Sequence, residues 1–578
     1  MNRNWFFGIL SAITVAVAVT RIAATYRTTS QGFDEPCHVA AGIEYLDKHT
    51  YTLDPVHPPL SRIAVGLPLY FAGERFPKWP QGDPRLRNYN EVGNSVLYDD
   101  NHYFRNLSLA RIGVLPFFIL CAALVFTWAS REFGPLAGLM AVALFTTIPT
   151  VIAFAGMAYS DMPTACMQFA AIVALVLWLQ EPSPGRTLLL GAALGLALAC
   201  KLTSVLFLFA AGTSVALLRV STAGKTTASL STWVKGLSVA GLVAFAVLWG
   251  TYGFEFGRVQ ESMQLLPESM PSFQHFPRVV GSVARAFIVK DSVVPAPALL
   301  RGVAQAWVLN KSAPGAYLLG KTKSGGWWYF FLVGIAVKAP VPLVILAAIG
   351  MGFAIRGAYE GRWSALAPAV AITAILLITM PVKYNAGVRH VLVVFPLMAV
   401  LGGYGASVLL ETSGRERLLS RAFLISLLCW QAISTIEARH DYIAYFNEFA
   451  GPDPSQVLVN GCDLDCGQDV FRLRDELRRR QISHVSLAMW SSADISRMGL
   501  PDFDILQPSQ PTSGWLAVSD RARLEGDVFH TAYAANAFDW LTKYSPVTRV
   551  GKTISLYYIP QGGIPPSSER PQVNVVAR

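Results

Sequence analysis

The sequence predicts a polytopic α-helical membrane protein, with about eleven transmembrane helices and a small C-terminal α/β domain outside the membrane. Three observations carry this. Apolar runs long enough to span a bilayer core, about 20 residues each, recur from the N-terminus to residue 437. The 578 residues are 53% hydrophobic and only 15% charged, with a mean hydropathy of +0.41. Beyond residue 437 the texture changes to ordinary charge density with frequent turn signals.

The apolar runs lie near 5–25, 107–129, 134–156, 162–180, 186–200, 203–219, 233–253, 327–352, 363–381, 388–411 and 419–437. The fifth and sixth are short and nearly fused. The first follows Asn2 and Arg3 with no clean small-residue cleavage site after it, so it reads as an uncleaved helix. With the N-terminus in the cytoplasm, the cytoplasmic loops collect Arg131, Arg186, the stretch 219–235, Arg356 to Arg362 and Arg415 to Arg421. That follows the positive-inside rule and accounts for the net charge of +10 without nucleic acid. Long loops at 26–106 and 254–326 and the tail from 438 then face the extracytoplasmic side. Seven cysteines are too few for a disulfide scaffold. Cys121, Cys166, Cys200 and Cys429 lie in apolar runs and read as small core residues.

The expected division is a membrane domain over 1–437, an extracytoplasmic α/β domain over 438–565 and a disordered tail over 566–578. Within the tail domain, 456–460 reads as a strand, 468–481 as a helix and 484–490 as the next strand. The helix sets Val470, Leu473 and Leu477 on one face, with Arg and Asp opposite. No internal repeat is visible.

Ionisable residues near membrane depth are costly and tend to be functional. Here they are Asp34, Glu35, His38, His57, Arg111, Asp161, Lys201, Lys338, Lys383, Arg389 and His390. In the orientation above nearly all fall on the extracytoplasmic face; Lys338 alone lies about eleven residues into its helix. Asp34 and Glu35 are an adjacent carboxylate pair, the kind of arrangement that shifts one pKa or faces a cation. A solvated interfacial pair is the plain alternative. Prolines in the stretch 54–60 fix an extended turn that holds His57. Asp161 precedes Met162-Pro163 and equally suits a helix cap. Lys201 interrupts an apolar run and suits either a phosphate or a snorkelling anchor. Arg389-His390 opens the tenth span and suits a phosphate at the bilayer edge, or a positive anchor. Taken together, the residues suit an anionic lipid headgroup with a carboxylate beside it.

Phe33-Asp34-Glu35-Pro36-Cys37-His38, His57-Pro58-Pro59-Leu60 and Tyr159-Ser160-Asp161 resemble glycosyltransferase family 39. These are GT-C enzymes akin to the dolichyl-phosphate-mannose protein mannosyltransferases and the lipid A aminoarabinose transferases. Gly387 to His390 fits a Gly-x-Arg-His stretch of bacterial members. Tyr445-Phe446-Asn447-Glu448 and the stretch 463–469 resemble members with an extra C-terminal domain. The resemblance implies a GT-C-like fold and a sugar donor linked to a polyprenyl phosphate. It implies inverting transfer to an extracytoplasmic protein, glycan or lipid acceptor, at the outer face of a bacterial inner membrane. By this likeness Asp34 is the general base, and Glu35 and Asp161 assist it. Arg111, Lys201, Arg389 and His390 hold the donor phosphate, and His38 and His57 shape the site.

The tail departs from the family at Cys462 and Cys466, which offer a disulfide in an oxidising compartment. Asp463, Asp465 and Asp469 offer oxygens to a divalent cation, although their spacing is not a full calcium loop. A capped loop before a helix is the plain alternative. The competing function is a transporter or flippase for a lipid-linked or anionic substrate. Such proteins often carry inverted repeats and midplane charges, whereas here the charges gather at one face.

Overall fold

A computed structural model describes residues 3–78, 88–222, 229–264, 292–311, 313, 315–507, 509–525 and 538–562. The expected disordered tail, 566–578, lies outside the described residues, as does 265–291 of the second long loop.

Eight described helices are long and apolar enough to cross a membrane: Trp5–Thr25, Tyr103–Phe133, Asp161–Gln180, Ser204–Thr222, Leu230–Thr251, Val341–Tyr359, Val394–Glu411 and Gly414–Glu437. Pro135–Phe145 and Pro149–Ala155, bent by 70°, together form a ninth candidate. Pro149 stands in the first turn of the second piece, where its missing N–H costs nothing. Two shorter apolar helices, Pro184–Cys200 and Trp363–Thr379, match the remaining runs. The chain is thus an integral, multi-pass membrane protein. Asp161–Gln180 and Val394–Glu411 are its most enclosed spans, while Trp5–Thr25, Ser204–Thr222 and Leu230–Thr251 are the most open to the outside.

Proline corrects one expectation. Lys338 is not deep within a helix. The helix Phe330–Lys338 stops there, Pro340 caps the next one, and Val341–Tyr359 carries the span. Cys121, Cys166 and Cys200 are buried as expected, but Cys429 is exposed on the helix Arg417–Glu437 and is not a core residue.

The stretch 26–106 is more structured than a loop. It folds into the helices Glu35–Lys48, Pro59–Phe71 and Tyr89–Tyr98. Pro36 and Pro59 sit in the first turns, where their fixed φ favours initiation. Glu44 is buried and collects the amides of Thr52 and Leu53, which ties the turn after the first helix back onto it.

The C-terminal region contains a five-stranded sheet in the order Asp502–Ile505, His484–Ala488, Gly514–Ser519, Ile554–Ile559, Thr548–Val550. The first three strands run parallel to one another and the other pairings are antiparallel. The helix Val470–Arg479 packs Leu473 and Leu477 onto one face of the sheet, as the sequence predicts. The expected strand at 456–460 does not form. That stretch makes the short 3-10 turns Pro454–Gln456 and Asn460–Cys462, because its polar groups bond to the membrane helices' connecting segments instead of to a sheet.

Candidate active site

Four chain elements bring four charged side chains to one place. Asp34 stands just before the helix Glu35–Lys48 and makes no side-chain cap. Its Oδ2 accepts from Arg389 Nη1 at 2.6 Å. Arg389 lies in the 3-10 turn Val388–Val391 that leads into the enclosed span Val394–Glu411. Asp161 is the first residue of Asp161–Gln180. Ser160 occupies the cap position, and Asp161 is committed elsewhere: its Oδ1 accepts from Lys201 Nζ at 2.8 Å. Its Oδ2 lies 3.8 Å from Arg389 Nη1. Lys201 follows the C-terminus of Pro184–Cys200 in extended conformation. The result is a chain of alternating charge, Lys201, Asp161, Arg389, Asp34.

Exposure separates the two carboxylates. The Asp161 side chain is 2% exposed and that of Asp34 is 31% exposed. Beside the chain is a narrow crevice, too tight in this structure to hold a water molecule. It is lined by Asp161, Lys201, Arg389 and His390 together with Thr164, Ala165, Gln168, Leu392 and Val393. Thr164 and Gln168 were not singled out from the sequence. Their spacing of three and seven residues from Asp161 puts all three on one helix face, the one signal that marks them.

A second cluster lies next to the first. Arg62 Nη2 donates to Asp54 Oδ2 at 2.5 Å and lies 3.0 Å from His57 Nδ1, which is 3.4 Å from Asp54 Oδ2. Pro55 and Pro58 flank His57 in the turn ahead of the helix Pro59–Phe71, with Pro58 in extended conformation. The Tyr51 hydroxyl adds a bond to the His57 carbonyl. Burial works against ionised Asp54, but Arg62 and then His57 outweigh it and hold the carboxyl well below its usual range. Burial pushes the His57 imidazole down, against Asp54. The His38 ring packs 5.3 Å from that of His57 and 5.6 Å from that of Tyr159. Burial, reinforced by Arg62 and His57, drives its pKa well below the ordinary value. His38 is thus packed between His57 and Tyr159. Arg62 gave no sequence signal beyond lying in an otherwise apolar helix.

Two expected site residues form a separate structural pair. Arg111 Nε and Nη2 donate to the two Glu35 oxygens, each at 2.8 Å. Both side chains are essentially unexposed. Glu35 also accepts from the amides of Gly32 and Ala158 at 2.7 Å. Arg111 spends its remaining donors on Thr29 and on the Tyr26 and Ser30 carbonyls. Arg111, expected at the donor phosphate, and Glu35, expected beside the base, are here committed to each other and to their neighbours, apart from the Lys201, Asp161, Arg389, Asp34 chain.

The tail aspartates also part company. Asp463 accepts from the Val388 amide, Asp465 from the Gly467 amide, and Asp469 from Arg472 and Thr553. Among the described residues, no group of three or more His, Cys, Asp or Glu side chains could hold a metal ion. Asp463, Asp465 and Asp469 do not come together as such a group. Burial pushes Asp463 up to about 7, against Lys338, and Asp465 also up to about 7. Cys462 and Cys466 form a disulfide.

Residues 106–249 match the family model for dolichyl-phosphate-mannose-protein mannosyltransferases. The match spans 144 of the 578 residues, and the similarity to that family is confined to this segment. The matched segment contains Asp161 and Lys201 but neither Asp34 nor Arg389. No curated protein matches the sequence. Among solved structures the chain is similar to ArnT from Cupriavidus metallidurans bound to undecaprenyl phosphate, at 12% identity and a TM-score of 0.46, over 96% of this chain and 98% of that one. It is also similar to the Archaeoglobus fulgidus oligosaccharyltransferase tethered to an acceptor peptide, at 10% identity and a TM-score of 0.49, over 98% of this chain and 75% of that one.

Proposed function

We propose that this protein is a GT-C-type enzyme that transfers a sugar from a polyprenyl-phosphate donor to an extracytoplasmic protein, glycan or lipid acceptor, with inversion at the sugar carbon. The observation that carries the reading is the Lys201, Asp161, Arg389, Asp34 chain. It sets two cations beside a half-open carboxylate at the ends of enclosed spans. The matched family, whose name specifies a lipid-phosphate sugar donor, supports the reading. In the proposed step Asp34 takes the proton of the acceptor hydroxyl or amine. The acceptor atom bonds to the anomeric carbon. The bond to phosphate breaks on the opposite face, and its electron pair leaves with the polyprenyl phosphate. Lys201 and Arg389 neutralise that leaving group, so it needs no proton, and His390 lines the same crevice as an uncharged neighbour. The lipid tail stays in the bilayer, which fits a site at the membrane edge.

The accumulating lipid-linked sugar in a deletion strain names the donor. With that donor radiolabelled, purified protein should move label off the lipid when acceptor is present. Label crossing a vesicle while still on its lipid overturns the reading in favour of a transporter.

Two further predictions follow from the same geometry. The site is proposed to face the periplasm of a bacterial inner membrane, so a reporter fused after Gly451 should be active only if it works outside the cytoplasm; a cytoplasmic signal there removes the one-sided site. Lys201→Ala and Arg389→Ala should each weaken binding of undecaprenyl phosphate, with each charged contact contributing about 1.5–3 kcal/mol. Full activity of both variants at limiting donor would show them to be interfacial anchors.

A further inference from the structure

The C-terminal region does more than cover the membrane helices. Its stretch 460–468 threads between the two segments that carry Asp34 and Arg389, and it bonds to both. On the Asp34 side, the Ser30 amide donates to the Gln468 carbonyl at 3.0 Å and the Phe33 amide to the Cys466 carbonyl at 3.0 Å. The Ser30 hydroxyl donates to the Gly467 carbonyl at 2.7 Å. The Phe33 ring stacks on Trp490 at 4.7 Å, and Arg521 lies over Trp490. On the Arg389 side, the Val388 amide donates to both Asp463 oxygens, at 3.0 and 3.1 Å. Asn460 Nδ2 donates to the Asn385 carbonyl at 3.2 Å. Lys338 Nζ donates to the Asp463 carbonyl at 2.6 Å and fixes that residue from below.

Between the two sides stands Tyr159. Its hydroxyl accepts from the Asp34 amide at 2.9 Å and touches Cys466 Sγ at 3.1 Å and Cys462 Sγ at 3.5 Å. The backbones meet closely on the other flank. A Cβ on Gly461 would lie 1.9 Å from the Ala386 carbonyl oxygen, and one on Gly387 would lie 2.6 Å from that of Gly461. Both glycines have positive φ, +60° and +95°, so neither the space nor the conformation suits a side chain. The disulfide closes the loop at the point where these contacts converge.

We propose that the Cys462–Cys466 loop is a clamp that sets Asp34 against Arg389, with Tyr159 and Asp463 as positioning residues. It rests on the reading of Asp34 as the base. Each arm fixes the backbone next to one reactive side chain, and the disulfide fixes the distance between the arms. A general base displaced by about 1 Å can cost about 10²-fold in rate. The clamp therefore makes turnover depend on a region that contributes no reacting group.

The test uses the full chain in two variants, Cys462→Ser/Cys466→Ser and Tyr159→Phe. Amide hydrogen exchange is read in peptides covering 30–35 and 386–390, with the strand Gly514–Ser519 as an internal control. In the serine pair, exchange should rise about tenfold in both peptides and stay unchanged in the strand. In Tyr159→Phe it should rise only at 30–35. With the lipid-linked sugar extracted from the deletion strain as donor, kcat should fall about 10²-fold in the serine pair while the donor KM changes only a few-fold. Unchanged exchange in both peptides overturns the clamp, whatever the activity. Raised exchange with normal kcat overturns the positioning role. Absence of transfer by the unaltered protein sinks the reading of Asp34 as base, and the exchange data still decide the clamp.

Discussion

Asp34→Asn is expected to lower turnover about 10²–10⁴-fold at saturating donor while the protein still folds and binds the donor. The amide keeps the shape of the side chain and removes the proton acceptor. The geometry favours Asp34 over Asp161 on two counts. Asp34 is 31% exposed, against 2% for Asp161, so an acceptor can reach only the former without rearrangement. Asp161 is also held by Lys201 at 2.8 Å, so in the proposed mechanism it would orient the lysine that meets the phosphate. Asp161→Asn should therefore weaken donor binding more than it slows a saturated enzyme. The Asp34 contact to Arg389 does not contradict the assignment. Arg389 sits between two carboxylates, at 2.6 and 3.8 Å, and a donor phosphate would compete for it and release Asp34. Near-normal turnover of Asp34→Asn together with loss in Asp161→Asn would move the base to Asp161.

Hydropathy carries most of the fold here because a bilayer leaves few alternatives. An apolar run of sufficient length must satisfy its own backbone, so the spans are legible in a single sequence. Where two short apolar runs meet, as at Lys201, the break is also visible, because a charged residue interrupts the pattern. The helices at 35–71 were not legible, since they are short, contain polar residues and owe their stability to packing on the bundle. The stretch 456–460 shows the converse failure. Gln456-Val457-Leu458-Val459-Asn460 has the composition of a strand, but Leu458 and Val459 pack into clusters with the membrane helices and a neighbouring hairpin, and no strand pairs with them. Local pattern cannot report such tertiary capture. The candidate site was legible as a set of charges on one face. Their pairing was not, because adjacency in sequence says nothing about which carboxylate meets which cation. Asp34 and Glu35 are neighbours that point into different networks: one reaches Arg389, 355 residues away, and the other Arg111, 76 residues away.

That division gives the second large effect. Glu35→Ala should destabilise the protein by about 3–5 kcal/mol, the usual consequence of leaving a buried charge without its partner. Arg111 would keep its guanidinium buried at 1% exposure with only neutral acceptors, and the amides of Gly32 and Ala158 would lose theirs. Glu35→Gln should be little better. A side-chain amide offers N–H where Arg111, Gly32 and Ala158 already donate, so at least one buried donor is left facing another. The pair joins the segment before Glu35–Lys48, the helix Tyr103–Ile112 and the turn ahead of Asp161, so its loss should loosen the frame that holds Asp34. Thermal unfolding of the purified chain measures the cost. Glu35→Ala and Arg111→Ala should each lower the transition strongly, and the double variant should be less destabilised than the sum of the two, since it removes the orphaned charge. Should Glu35→Gln unfold like the unaltered protein and yet lose turnover, Glu35 acts in the chemistry and the structural assignment of this pair is wrong.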